Sequence, residues 1–442
     1  MLLEFSVENF LSFKEKTTFS MLPHSSYKEH LEGNVTNTGG NRIPHVLNSA
    51  VVFGANASGK TNLIKSIDFV RAKLLSSDSS DINEKFFKFG FSKICKDKPT
   101  SFSVVFLTNN IIFDYSFSIH YGKIVFEKLL RLENESKKHW KPLFERSESL
   151  AEGIQYFNAF QGPKQTIFEK TRPEILFLKS LYEWNNKTIR DAYLWFKHGL
   201  MTITDPNEIE GIGLYGTLQD LIEDDDTSQR IQKLVRNADF GIEEIKVNAK
   251  NVEFSDDTKM PKGFIASSNL PGIFIDGKSS QIWDANFKHA GIDDNGDEVF
   301  MSLDHKHESL GTRKLFALSG PIIDILQNGI TICIDELTCS MHPVLTKAII
   351  DMFHDPKINK NGAQLIFNTH DIYFLNKKIF RRDQIWFTEK NKNGATELIG
   401  LHDYKVRNDE ALGVNYLLGA YGAIPIINHE DLFTPESISN DE

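Results

Sequence analysis

The stretch "VVFGANASGKTNLIKSI", Val51 to Ile67, decides the fold. An apolar run suited to a buried strand breaks into small residues. A helix-spaced run follows, with Leu63, Ile64, Ile67, Val70 and Leu74 on one face. Between them "GANASGKT", Gly54 to Thr61, fits G-x-x-x-x-G-K-[ST] in full. Gly54 and Gly59 let the backbone turn tightly, so that consecutive N–H groups through Asn56, Ala57 and Ser58 point inward as an anion nest. The following helix adds its positive N-terminus. Lys60 is placed to reach β- and γ-phosphates and Thr61 to offer its hydroxyl to Mg2+. Asn62 completes the expected nucleotide-contacting set.

A phosphate loop needs a carboxylate for the metal and a group that positions water. "GITICIDEL", Gly329 to Leu337, supplies both. Its Ile330, Ile332, Cys333 and Ile334 suit a strand buried on both faces. Asp335 falls at the strand's C-terminal end, where open α/β sheets bind ligands, and is the expected Mg2+ residue beside Thr61. Glu336 follows as candidate general base. "AQLIFNTHD", Ala363 to Asp371, reads as another apolar strand, ending at His370, which can bond a γ-phosphate or the attacking water. In "HESLGTRKLFAL", Ser309 and Gly311 open a further helix with a hydroxyl and a backbone N–H.

Outward from these motifs, strands are expected at Leu2–Phe13 and again from Thr100 to Leu143. Turns fall at Asn109–Asn110 and Tyr121–Gly122. Ser76 to Glu84 reads as a polar loop, Ala151 to about Arg236 as mainly helical, and Phe240 to Phe300 as short strands and loops. From Ser309 onward helix and strand alternate. The acids Asp293, Asp294, Asp297 and Glu298 read as a solvated turn, not a metal cluster. No heptad pattern persists long enough for a coiled-coil arm.

The chain has 442 residues, 40% hydrophobic and 25% charged, which suits a globular protein of two or three lobes. A net charge of −10 argues against coating nucleic acid through bulk charge but leaves room for a local basic surface. Three cysteines without a C-x-x-C pair imply neither a disulfide framework nor a zinc site. No signal peptide or membrane-spanning run is seen, so a cytoplasmic protein is expected.

In order along the chain stand "NFLSF", "GANASGKT", a long insertion, "ESLGTRKL", "ICIDEL", "SMHP", "NTHD", "RRDQIWF" and "YLLGAYGAIP". The set resembles the ABC-type ATPase heads of the structural-maintenance-of-chromosomes, RecF and OLD-like group. It is most similar to the AAA-domain ATPases of bacterial defence operons, including the AbiL-, RloA- and PARIS-type systems. The resemblance implies an α/β fold: an ABC-type P-loop ATPase head with a β-rich subdomain and a long, mainly helical insertion. Expected boundaries are an N-terminal lobe over 1–150, the insertion over 151–300, a C-terminal lobe over 301–430 and an acidic tail over 431–442. It further implies that Gly54, Asn56, Gly59, Lys60 and Thr61 act as Walker A, and Asp335 and Glu336 as Walker B with its catalytic glutamate. Ser309 and Gly311 correspond to the signature motif, Ser340, Met341 and His342 to the D-loop, and His370 to the switch histidine. Two heads would then sandwich two ATP molecules as a homodimer, open to higher assembly.

Departures from the pattern are "SLGTR" for the commoner "SGGQ", Asn368 where Thr is usual, Ala420 where Arg is usual, and no glutamine for a Q-loop between Asn83 and Ser103. Three functions follow from the resemblance. The first is a defence ATPase that senses phage infection, through a phage protein or nucleic acid, and controls a toxin or nuclease effector encoded nearby. The second is a RecF- or SMC-like DNA-repair ATPase. The third is a single-chain nuclease, for which His120, His139 and His198 are too scattered to suggest a shared site.

Overall fold

The computed structural model describes residues 1–76, 87–135, 139–206, 209–238, 241–253, 263–267, 270–276, 279–406 and 410–422. The segment from residue 77 within the expected polar loop, and the acidic tail, lie outside the described residues.

The central sheet has six strands in the order Leu200–Ile203, Thr331–Ile334, Gln364–Asn368, Ser49–Gly54, Ile385–Lys390 and Thr396–Gly400. Neighbours are parallel except the last pair. The register sets Ile203 beside Ile334, Ile334 beside Phe367 and Phe367 beside Val51, so the strands end along one edge. Side chains alternate between two cores, as the two-residue period of a strand requires. Ala50, Val52, Cys333, Ile366 and Trp386 enter one core, which also takes Leu63, Ile64, Ile67, Val70 and Leu74 of helix Lys60–Leu75. Val51, Phe53, Ile332, Ile334, Leu365 and Phe367 enter the other, with helices Leu310–Asn328 and Pro343–His354. This double coverage is why the strands read as apolar on both faces.

A seven-stranded antiparallel sheet extends the first core, in the order Ile154–Tyr156, Lys141–Ser147, Lys123–Glu133, Ile111–His120, Thr100–Thr108, Leu2–Glu8 and Thr17–Ser20. Both expected turns form. Asn109 and Asn110 have φ of 48° and 59°, Tyr121 and Gly122 have 50° and 76°, and paired positive φ values suit a tight hairpin.

The middle of the chain differs from its sequence reading in two respects. Helices Phe177–Glu183, Arg190–Leu194, Leu214–Glu223 and Asp225–Asn237 are present, the last capped by Asp224, which accepts from the Asp226 and Thr227 amides. Between them, Leu200–Ile203 is an edge strand of the central sheet, paired with Thr331–Ile334. The segment expected as an insertion therefore contributes to the head itself. A four-residue strand inside helical surroundings gives too short a period to be seen. The region after Phe240 holds long strands, Ile242–Glu253 and Ser279–Ile292, in a second antiparallel sheet of five strands. Its core edge packs on helix Leu310–Asn328 through Phe287 against Phe316, with ring centroids 4.9 Å apart. The acidic turn is as expected: the Asp293 carboxylate accepts from the Asn295 and Asp297 amides. Among the described residues no helix is long and apolar enough to cross a membrane.

Candidate nucleotide site

The sheet topology builds the site. Three parallel strands end together, delivering Gly54, Asp335 and the Asn368–His370 corner to one edge. Helix Lys60–Leu75 starts at that edge with Gly59, φ 115°, as its N-cap. Only glycine adopts that φ without strain, and a Cβ there would lie 2.2 Å from Thr396 Oγ1. At Gly54 a Cβ would lie 2.4 Å from Thr388 Oγ1 and 2.5 Å from Ser58 Oγ. Both glycines are thus demanded by neighbours as well as by the loop.

Apart from Ser58, those neighbours are residues the sequence reading did not single out. Ser58 Oγ and Thr388 Oγ1 are 2.6 Å apart. The Thr396 hydroxyl donates to the Ser58 carbonyl at 2.7 Å, and Thr396 N–H donates to the Ser12 carbonyl at 2.7 Å. Ser12 Oγ accepts from Asn62 Nδ2 at 2.7 Å, so Asn62 is turned toward Ser12. Tyr416 bonds through its hydroxyl to the Gly54 backbone, and its ring stands 6.1 Å from that of Phe53. Ser12 lies inside "NFLSF" and Tyr416 inside "YLLGAYGAIP", yet no spacing rule marks either as a brace.

Lys60 is 5% exposed and donates from Nζ to the carbonyls of Gly54 and Ala55, both at 2.9 Å. Burial lowers its pKa to about 8, against the pull of Glu336 and Asp335. Thr61 stands beside Asp335, which is 4% exposed, and its hydroxyl favours the carboxylate. Burial raises the Asp335 pKa first. Bonds from Asn368 and Thr61 lower it, and the Glu336 carboxylate raises it again. Two acids beside a hydroxyl, one of them buried, fit a hard divalent cation. Asn368 couples the two acids: its Nδ2 donates to Asp335 Oδ1, and its Oδ1 accepts from the Glu336 amide at 2.7 Å.

His370 is solvent exposed in this chain. Partial desolvation lowers its pKa, followed by Lys60, while Glu336 and Asp335 pull it up. These interactions place His370, Lys60, Asp335 and Glu336 in one electrostatic neighbourhood. Glu336, Ser340 and Ala57 carry positive φ values of 51°, 64° and 60°, a costly backbone state for residues with a Cβ, and all three lie in site motifs. Thr338 and Thr369 hydroxyls, 2.7 Å apart, tie the turn after Glu336 to the His370 corner.

Ser309 and Gly311 sit apart from the phosphate loop's hydrogen-bond network. Ser309 is exposed and caps its own helix, accepting from the Thr312 amide at 3.2 Å. Gly311 faces the Ser340 carbonyl, 3.1 Å from where a Cβ would stand, and Lys314 Nζ donates to the Cys339 carbonyl at 3.0 Å. Within one chain these residues brace the turn after Glu336. Asn56 and Ala57 are exposed at the lip of the loop.

Residues 49–376 match the family described as "AAA domain, putative AbiEii toxin, Type IV TA system". No curated protein matches the chain. Among solved structures, the chain is similar to an Smc head bound to the C-winged helix domain of ScpA, at 12% identity and a TM-score of 0.37, covering 90% of this chain and 96% of that one. It is also similar to an Smc head with an extended coiled coil bound to the C-terminal domain of ScpA from Pyrococcus furiosus. That pair shares 13% identity with a TM-score of 0.38, over 91% and 97% of the two chains.

Proposed function

This chain belongs to that family of AAA domains, and from that premise we propose that it binds and hydrolyses ATP with Mg2+. The observation that carries the reading is the shared sheet edge that brings the start of helix Lys60–Leu75 together with Asp335, Glu336 and the Asn368–His370 corner, Asn368 bonding both Asp335 and the Glu336 amide. In this reading the amides of Gly54 to Thr61 hold the phosphates, and Lys60 leaves its two carbonyl partners for the β- and γ-oxygens. Thr61 and Asp335 would hold Mg2+, which would supply charge neutralisation on the phosphates. Glu336 takes a proton from the attacking water, and His370 steadies the γ-phosphate side.

Ser309 stands exposed and takes no part in the phosphate loop's hydrogen bonds, which favours use in trans: a second copy brings Ser309 and Gly311 over the ATP, and a homodimer of heads results. ATP then joins the copies and hydrolysis parts them, a population shift driven by differential contact. The family's description names a toxin of a type IV toxin–antitoxin system. That supports a defence role in which a phage protein or nucleic acid triggers the cycle and the cycle controls an effector encoded nearby. The test is turnover and mass by light scattering with MgATP. Glu336→Gln is expected to lose about 100-fold or more in turnover and to accumulate as an ATP-bound dimer. Equal turnover by the variant and the native chain would remove Glu336 from the chemistry.

A further inference from the structure

The segment Phe87–Lys98 carries four lysines against one aspartate in a chain whose net charge is −10. It also carries Phe91 and Ile94, which are 78% and 70% exposed. Tyr121, 68% exposed, joins them: its hydroxyl donates to Asp97 Oδ1 at 3.3 Å, and Lys88 Nζ lies 5.2 Å from its ring centroid. Lys93, Lys96, Lys98 and Lys123 are exposed, and Lys88 ties the segment to Tyr121, donating from Nζ to the Lys96 carbonyl at 3.1 Å.

This exposure is not that of a loose loop. Asn9, 1% exposed and held at φ 52°, donates from Nδ2 to the carbonyls of Cys95, Lys98 and Pro99 at 2.8, 3.1 and 3.2 Å. Its Oδ1 accepts from the Phe89 amide at 3.2 Å. Phe89 and Cys95 pack with Ala395 in a small core of their own. The fold therefore spends a buried, fully bonded amide on holding Phe91 and Ile94 in water, where large apolar groups gain nothing from the folded state. Ala395 precedes Thr396, which bonds Ser58 of the phosphate loop, so the surface adjoins the nucleotide site.

Exposed planar and apolar groups set among lysines match a polymer that alternates phosphates with flat bases: bases stack on the rings while the backbone tracks the cations. We propose that the surface formed by Phe91, Ile94 and Tyr121 with Lys88, Lys93, Lys96 and Lys98 binds single-stranded nucleic acid. The inference does not rest on the ATPase reading, because its readout needs no nucleotide hydrolysis.

The test is fluorescence anisotropy of labelled oligothymidylate and oligouridylate with the full chain across a salt series. Binding is expected, with a log–log salt slope of roughly −2 to −3 for three or four phosphates neutralised. Phe91→Ser with Ile94→Ser is expected to weaken it by about tenfold or more. Lys93→Glu with Lys96→Glu should flatten the slope. All four side chains are exposed, and thermal unfolding checks that both double variants fold. Absence of binding at low salt overturns the proposal, as does binding that neither double variant alters. Sedimentation with phosphatidylserine vesicles, if it occurs and depends on Phe91 and Ile94 while the oligonucleotides do not bind, overturns it in favour of a membrane surface.

Discussion

Lys60 shows how one buried cation sets a measurable pH limit. Its pKa, lowered from the ordinary 10.5 to about 8, leaves the ammonium charged below that point and neutral above it. A neutral amine cannot hold phosphate oxygens as a charge, so MgATP affinity should be flat below pH 8. Above it the dissociation constant should rise toward about tenfold per pH unit. Titration of the native chain with a non-hydrolysable ATP analogue at several pH values reads this directly, and an affinity unchanged from pH 7 to 9.5 would contradict it. Asn368 offers a second test at this scale. Asn368→Leu keeps the volume but strips the bond to Asp335 and leaves the Glu336 amide without its acceptor. We expect a loss of about 1–3 kcal/mol in denaturant unfolding, with turnover reduced through misplacement of both acids.

Among the elements, strand Ile385–Lys390 is anchored by Arg381, which has no exposed surface. Its guanidinium donates to both Asp383 oxygens, at 2.9 and 2.7 Å, and to the Glu29 and Tyr27 carbonyls. A buried ion pair owes its value to completeness: removing one partner strands the other. Arg381→Met should therefore cost about 3–5 kcal/mol, and Arg381→Met with Asp383→Leu should recover part of it. A double variant no more stable than the single one would contradict this account. The elements also show what was legible in the sequence. Helix Lys60–Leu75 and the strands ending at Gly54, Ile334 and Asn368 could be read because burial on both faces leaves continuous apolar runs, and the phosphate loop fixes their polarity. The edge strand Leu200–Ile203 could not, because its identity comes from pairing with a strand 131 positions away. The braces Ser12, Thr388, Thr396 and Tyr416 were hidden for the same reason: each acts across a long chain separation through one or two small polar groups.

At the scale of the whole molecule, stability should follow two half-buried histidines. Burial lowers His305 to a pKa of about 4 and His354 to about 3, from the ordinary 6.5. His354 Nε2 lies 2.7 Å from Ser49 Oγ, which accepts from Gln384 Nε2 at 2.8 Å, so Ser49 donates to a neutral imidazole. The unfolded chain takes up these protons first as pH falls. The stabilisation is present above about pH 6.5 and is lost as pH drops toward 4 and below. Melting temperature should hold steady above 6.5 and decline beneath it, and His354→Gln should shallow the decline. An identical profile for that variant would reassign the acid sensitivity to other groups.

The central claim is that the edge of one sheet gathers Gly54–Thr61, Asp335, Glu336 and His370 around a metal-bound triphosphate. Calorimetric titration of ATP into the Glu336→Gln chain, with and without Mg2+, addresses it most directly. The account predicts one nucleotide per chain, bound more tightly with Mg2+ and lost in the additional variant Lys60→Ala. Binding that ignores both the metal and Lys60, or no binding at all, would contradict it.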